Sequence, residues 1–340
     1  MEKTRLGKTE LIVTRSAFGA LPVQRLSLED GAALLRYAYD LGITFFDTAR
    51  GYSDSEQKLG LGLSDVRESI VIATKTPSST PEGFWKDLET SLSLLNTDWI
   101  DIYQFHNPKT IPGKDSPLYA CMLEAKKQGK IRHIGVTCHV LSNAWEALDS
   151  GLYETIQFPL SALSSDQEIE WARACGEKDV GVIAMKALCG GLLTSAAPSM
   201  AYLRPYPHIV PIWGFQRNSE VEEVAALEAS PPALDDAMLA RIAKDRAELG
   251  GNFCRGCGYC MPCSIGIRIN MIARLPQLLR RSPPAPYFSD DWKEAMALAE
   301  TCTECGLCMS KCPYGLEIPT LIKAAIADRK VFAGENGYTL

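Results

Sequence analysis

Eight short runs rich in β-branched and aromatic residues recur through the first two thirds of this 340-residue chain. They are "VTRSAFGA" (13–20), "ITFFDTA" (43–49), "IVIATKT" (70–76), "WIDIYQFH" (99–106), "IRHIGVTCH" (131–139), "TIQFPLSAL" (155–163), "VGVIAMKAL" (180–188) and "HIVPIWGF" (208–215). Between them lie amphipathic stretches such as "SLEDGAALLRYAYDLG" (27–42) and "PEGFWKDLETSLSLLN" (81–96). Ser27 with Asp30 three residues on predicts an N-terminal cap, and Gly42 a stop. Apolar strands alternating with helices imply a parallel sheet covered by helices. Eight such units favour closure into a (β/α)8 TIM barrel. No Gly-x-Gly-x-x-Gly follows the first strand, which argues against an open dinucleotide-binding sheet.

After the eighth run come two helical stretches, 218–229 and 231–249, the second with an apolar stripe at Leu234, Met238, Ile242 and Leu249. Gly250-Gly251 then breaks the pattern and a cysteine-rich segment begins. The expected organisation is a barrel over 1–230, a connecting helix over 231–250, and a small, mainly helical domain over 251–340. An apolar content of 46% with 22% charged residues is enough to bury such a core. A net charge of −6 carries no nucleic-acid footprint, and no basic run suggests a membrane surface. The longest apolar stretch, 180–203, contains Lys186, Gly190-Gly191 and Pro198, so it reads as strand, loop and helix rather than a membrane span. The N-terminus lacks a signal-like apolar core, and the expected location is cytoplasmic.

Active groups of a (β/α)8 barrel sit at the C-terminal ends of its strands. Three successive runs here end in ionisable residues, Asp47, Lys75 and His106, and Tyr52 follows just beyond the first. These four side chains are expected to converge at one mouth. A tyrosine is a weak acid at neutral pH, but a nearby ammonium stabilises its phenolate. Lys75 can do that, with Asp47 as its ion-pair partner, while His106 hydrogen-bonds a substrate oxygen. The set describes a carbonyl polarised for hydride attack, or the reverse oxidation. Lys186, ending the seventh run, is expected to point its charge towards the same mouth.

"FFDTARGYSDSE" (45–56), "ATKT" (73–76) and "QFHNP" (104–108) resemble the signature segments of the aldo/keto reductases. The resemblance runs from about residue 1 to 230. It implies Asp47, Tyr52, Lys75 and His106 as a catalytic tetrad, and an NADH or NADPH cofactor bound across the mouth without a Rossmann fold. It implies Thr137, Cys138 and Gln157 at the positions that hold the nicotinamide carboxamide, although Cys138 replaces the family's asparagine. It also implies Gly214 in the phosphate loop and Glu223 at the adenine. Glu220 stands where the family places the arginine for a 2′-phosphate, and Val224 replaces an asparagine; Arg217 is the candidate to compensate. A carboxylate at 220 would repel a 2′-phosphate and suit a free ribose hydroxyl.

Twelve cysteines without an export signal favour cofactor ligation over disulfides, and eight of them lie between 254 and 312. Cys302, Cys305, Cys308 and Cys312 followed by Pro313 match the bacterial ferredoxin run. Cys254, Cys257, Cys260 and Cys263 form a second, slightly altered run. Since the fourth cysteine of each ferredoxin run serves the other cluster, Cys312 is expected to complete the first [4Fe–4S] cluster and Cys263 the second. Glycines at 256, 258 and 306 allow such loops to wrap closely. Structural zinc is the alternative, but it seldom needs two evenly stepped runs. Together the two parts look like the iron–sulfur subgroup of the aldo/keto reductases: a TIM barrel followed by a helical dicluster ferredoxin-like domain.

The favoured function is a nicotinamide-dependent oxidoreductase interconverting a small carbonyl and an alcohol. The alternative is an enzyme fed single electrons through its clusters by a ferredoxin-type partner, without nicotinamide. The third is a non-catalytic electron-transfer or partner-binding protein, against which the complete tetrad argues. The remaining cysteines, with Cys138 at the mouth among them, read first as small core residues.

Overall fold

The computed structural model describes residues 1–249 and 253–340, so the Gly250-Gly251 break lies outside the described residues. Among them, two compact units form. The first comprises Met1–Ala187 and Ala196–Met238; the second comprises Leu188–Ser195 and Leu239–Leu340.

The first unit opens with a hairpin of β1 (Lys3–Arg5) and β2 (Ile12–Thr14). Then β3 (Ala17–Gly19), β4 (Phe45–Asp47), β5 (Val71–Thr76), β6 (Ile100–His106), β7 (Ile131–Thr137), β8 (Thr155–Pro159), β9 (Gly181–Met185) and β10 (Ile209–Gly214) follow. These eight pair in parallel, and β10 pairs with β3 to close the barrel. Each of the eight apolar runs thus supplies one barrel strand. The first run is split, however. Val13 and Thr14 belong to the hairpin, and only Ala17–Gly19 enters the barrel. Leu6 and Val13 are fully buried in one cluster with Ala17, Phe45, Ala73 and Ile102. Leu6 also packs against Gly181, where β9 begins, so the hairpin plugs the N-terminal end of the barrel.

The helices of this unit are α1 (Leu28–Asp40), α2 (Ser55–Leu63), α3 (Pro81–Leu95), α4 (Pro117–Lys127), α5 (Leu141–Ser150), α6 (Asp166–Glu177), α7 (Ala197–Leu203) and α8 (Asn218–Ala229). The Ser27 cap forms as expected, its hydroxyl accepting the Asp30 N–H at 3.0 Å. A reciprocal capping box of Ser165 and Glu168 opens α6. Helix α9 (Asp236–Leu249) starts later than the apolar stripe suggests. Ile242 and Leu249 are buried, whereas Leu234 precedes the helix and is exposed.

The second unit holds α10 (Ile269–Ile272), α11 (Leu275–Arg281), α12 (Asp290–Glu300), α13 (Leu307–Ser310) and α14 (Ile318–Asn336). Its own core includes Ile272, Leu275, Trp292, Ile318 and Ile322. Phe288 stacks on Tyr338 with ring centroids 4.3 Å apart. The segment Leu188–Ser195, which follows β9 in the chain, packs here. Arg274 donates to Gly190 O at 2.7 Å and Arg281 to Leu192 O at 3.1 Å. Among the described residues no helix is long and apolar enough to cross a membrane.

Helix α2 carries the chain away from the candidate site, and it lies very close to its neighbours. A Cβ added at Gly60 would sit 2.2 Å from Leu94 O of α3, and one at Gly62 would sit 2.6 Å from Ala32 O of α1. Backbone atoms cannot yield as a side chain can, so overpacking here costs stability. Gly60→Ala is expected to destabilise the barrel by about 2 kcal/mol, read as a lower midpoint in chemical denaturation.

Candidate functional site

Asp47 ends β4, Lys75 lies next to the last residue of β5, and His106 ends β6. Parallel strands in register bring these ends to one rim. The Lys75 ammonium donates to Asp47 Oδ2 at 2.7 Å and to Thr48 O at 2.6 Å, with both charged side chains almost fully buried. Tyr52 lies in the turn after β4, its ring centroid 5.3 Å from Lys75 Nζ. The His106 ring meets it edge-on at 5.6 Å. The four side chains predicted to converge are therefore brought together.

Burial dominates their electrostatics. It pushes the Asp47 carboxyl up and the Lys75 ammonium down from their usual ranges, and the ion pair between them opposes both movements. Burial, with the Lys75 charge beside it, lowers His106 to about 3. The imidazole is thus neutral at physiological pH, a hydrogen-bonding group rather than an acid.

Two further residues also face this group. Gln104 lies two positions before His106, so strand alternation turns both inwards. Its Nε2 donates to Gln157 Oε1 at 3.0 Å and to Asp47 Oδ1 at 3.4 Å, while its buried Oε1 has no hydrogen-bond partner among the described residues. His139 is buried just beyond β7. Burial first, then the charges of Lys186, His106 and Lys75, hold its imidazole well below the usual range.

The expected carboxamide-binding positions divide. Thr137 Oγ1 accepts the Asn107 N–H at 2.7 Å, which leaves the hydroxyl hydrogen to donate. Gln157 is turned inwards, its Nε2 donating to Asp47 Oδ2 at 3.3 Å. Cys138 takes the opposite course to its neighbour. Cys138 is buried, and its charge environment is that of Glu146 on α5, with Tyr153 ahead of β8 and Cys175 on α6 also sensing it. Burial pushes the thiol up to about 12, away from the thiolate form that a redox cysteine uses. Lys186 directly follows β9, is half-buried, and has a left-handed backbone at φ 59°.

At the start of α8, Gly214 ends β10 with its backbone exposed. Glu220 Oε2 accepts the Gln216 N–H at 2.7 Å, and its Oε1 accepts from Arg217 at 2.7 Å. The carboxylate closes back onto the helix N-terminus and ties up the arginine nominated to compensate for it. Glu223 accepts the Ala196 N–H at 3.0 Å.

In the second unit the cysteine loops contain no strand. Gly256, Gly258 and Gly306 all have positive φ, at 66°, 82° and 76°, as the close wrapping of these loops demands. The Cys254 thiol accepts the Gly256 N–H at 3.4 Å. Cys257 and Cys312 both lie close enough to Cys254 and Cys260 for their charges to be felt. Cys260, Cys263, Cys302, Cys305 and Cys308 line one pocket. Cys305 is exposed, and the Leu307 N–H holds its thiol below the usual range. Among the described residues no three such side chains close on a single ion. Backbone amides aimed at sulfur, as from Gly256 to Cys254 and from Leu307 to Cys305, suit thiolates that carry negative charge. The donor set fits iron–sulfur clusters.

Comparison with known proteins decides the family. The aldo/keto reductase family model matches residues 16–234, over half of the chain. The chain belongs to the aldo/keto reductase family. A 4Fe-4S dicluster domain model matches residues 253–317 of this reductase. It is 31% identical to L-galactose dehydrogenase of Arabidopsis thaliana over 220 residues, 58% of this chain and 69% of that one. It is 28% identical to the NADH-specific methylglyoxal reductase of Escherichia coli over 265 residues, 68% and 80% of the two chains. An aldo-keto reductase from Klebsiella pneumoniae, solved with NADPH, shares its fold with a TM-score of 0.62 at 22% identity, covering 72% and 95%. This aldo/keto reductase is accordingly an oxidoreductase with an iron–sulfur domain.

The buried Lys75–Asp47 pair yields a test of its own. Removing one partner strands a charge in the interior, which costs about 3 kcal/mol. Asp47→Asn or Lys75→Met alone is expected to lower the unfolding free energy by that order, and the double variant is expected to recover most of it. Denaturant titration of the three variants gives the comparison.

Proposed function

We propose that this reductase interconverts a small carbonyl and its alcohol using NADH in preference to NADPH, and that its second unit carries two [4Fe–4S] clusters. The observation carrying the chemistry is the convergence of Tyr52 and His106 over the buried Lys75–Asp47 pair. A bound nicotinamide dinucleotide supplies the hydride for reduction or takes it in oxidation. Tyr52 gives its phenolic proton to the carbonyl oxygen as the new C–H bond forms, and the Lys75 ammonium stabilises the phenolate left behind. Asp47 keeps that ammonium in place. Neutral His106 donates a hydrogen bond to the same oxygen and orients it. In the oxidative direction the same groups take up the proton.

Thr137 is the residue with a hydroxyl hydrogen free to hold the carboxamide, and the exposed backbone around Gly214 suits a pyrophosphate ahead of α8. The preference for NADH rests on Glu220, whose carboxylate already engages Arg217 and the Gln216 amide. One of the relatives is named as NADH-specific, whereas the Klebsiella structure holds NADPH. For the clusters, Cys254, Cys257, Cys260 and Cys312 form one ligand set, and Cys302, Cys305, Cys308 and Cys263 the other. The neighbourhoods of Cys312 and Cys263 support that exchange of fourth ligands. A second reading, single-electron exchange with a ferredoxin-type partner, is favoured by the exposure of Cys305.

Anaerobic purification with iron and sulfide analysis is expected to give about eight of each per chain. Zinc without sulfide would overturn the cluster assignment. Titration should show tighter binding of NADH than NADPH, and Glu220→Arg should reverse the order; no binding of either nucleotide would favour the ferredoxin-linked reading. Tyr52→Phe is expected to lower kcat for NADH-dependent methylglyoxal reduction by at least about 100-fold. Because burial leaves His106 at about 3, its ionisation should contribute no limb to the pH profile near neutrality.

A further inference from the structure

Tyr52 has no strand or helix to hold it, yet it has to stay within reach of Lys75 and His106. The turn that bears it, Thr48 to Ser55, is pinned at several points. Arg50 N–H donates to Lys75 O at 3.0 Å, Tyr52 N–H to Ala49 O at 3.0 Å, and Ser55 N–H to Tyr52 O at 2.9 Å. The Thr48 and Ser55 hydroxyls are 2.8 Å apart, and Ser55 Oγ also donates to Ala20 O at 2.9 Å. Ser53, immediately after Tyr52, takes a left-handed backbone at φ 41°, a conformation that a serine holds only when its surroundings impose it.

An arginine clamped by a buried acid reaches this residue. The Arg50 guanidinium donates to Ser53 O at 3.3 Å and forms an ion pair with Glu56 in the first turn of α2. The Glu56 side chain is fully buried. Its other oxygen accepts from Thr74 Oγ1 at 2.6 Å. Thr74 immediately precedes Lys75, and strand alternation turns the two side chains to opposite faces of β5. A single carboxylate thus ties the Tyr52 turn, through Arg50, to the strand that carries Lys75.

Burying a carboxylate is costly unless it is paired and hydrogen-bonded. Burial pushes Glu56 up from the usual carboxylate range, with Thr74 and Arg50 opposing the rise, so the site retains a group whose environment resists its charge. Stability alone is often better served by well-packed apolar residues.

We propose that Glu56 is a positioning residue for the reaction, acting through Arg50 and Thr74 to hold Tyr52 in register with Lys75. This rests on the carbonyl-reductase reading for its kinetic consequence, but the clamp itself can be read without turnover. The charged and titratable groups around Lys75 are Asp47 on β4, Tyr52 in the turn, Glu56 on α2, His106 on β6 and His139 beyond β7. Around Glu56 they are Arg50, Lys75 on β5, Tyr103 on β6 and, from α3, Asp87. Glu56 adds to the negative field that keeps the proton on Lys75, a contribution smaller than that of Asp47.

The test uses the full-length, cluster-loaded protein, with NADH and methylglyoxal as the probe reaction. Glu56→Gln keeps shape and hydrogen-bonding capacity but removes the charge that grips Arg50. It is expected to lower kcat by about 10- to 100-fold, as a misplaced catalytic group does, with the KM for NADH unchanged. The alkaline limb of the kcat profile should move to lower pH, because Lys75 loses an anion that favours its charged form. Arg50→Ala should show the same kcat defect, and added guanidinium ion should restore part of it. The double variant should be no worse than either single one. Independently, hydrogen exchange measured by mass spectrometry should quicken at the Tyr52 and Ser55 amides in Glu56→Gln.

A folded Glu56→Gln protein with unchanged kcat, pH profile and exchange would overturn the proposal, and would leave Glu56 a purely structural residue. Should Glu56→Gln fail to fold, Arg50→Lys, which keeps the charge but loses the fork to Ser53, carries the same exchange and kcat predictions in milder form. Wild-type protein that does not reduce methylglyoxal would count against the proposed function, while the exchange result would still decide the clamp.

Discussion

An ammonium group has been taken out of water and placed at the rim of a parallel barrel, and the surrounding structure is organised around that fact. Lys75 has almost no solvent, so it needs an anion and good acceptors in contact, and Asp47 and the Thr48 carbonyl supply them. Asp47 in turn is covered by the amides of Gln104 and Gln157 from two further strands. The charge pair therefore fixes the ends of β4, β5, β6 and β8 relative to one another. What the site gains is a cation that sits permanently beside Tyr52 and needs no rearrangement when negative charge develops there. A lysine in solvent would be screened and would pay for its ordering at each turnover.

The same economy explains why His106 is neutral. A second cation at this rim would lie against the first, in a medium that screens poorly. Burial disfavours the protonated form of both His106 and His139, so hydrogen-bonding imidazoles stand beside the fixed positive charge of Lys75. At the other end of the molecule's chemistry, the cysteine loops follow the opposite rule. The Gly256 N–H faces the Cys254 sulfur, so the backbone offsets part of what burial costs a thiolate there.

Much of this was legible in the residues because buried parallel strands are apolar on both faces and stand out as continuous runs. The ionisable residues ending those runs were visible for the same reason, each interrupting an apolar segment. The first run misled by being continuous: "VTRSAFGA" joins a hairpin strand to a barrel strand, and apolar character alone does not mark the bend between them. Gln104 was open to a stricter use of alternation, because Gln104 and His106 on one strand must face the same way. The clamp on Tyr52 was hidden for a different reason. Glu56 and Thr74 are far apart in sequence, and nothing local announces that one accepts from the other. Likewise, no periodicity tells that Leu188–Ser195 packs with residues beyond 239.

That last segment decides where the chain could be divided. Because Leu188–Ser195 belongs to the second unit, the backbone passes between units after Ala187, after Ser195 and after Met238. A module appended through one linker can be gained or lost in a single splice. Here a cut at 239 would leave eight residues of the β9–α7 connection without the arginines that accept them as neighbours, Arg274 and Arg281. The cysteine-rich part is interleaved with the barrel's chain rather than strung behind it, so neither can be excised at one cut without taking residues of the other.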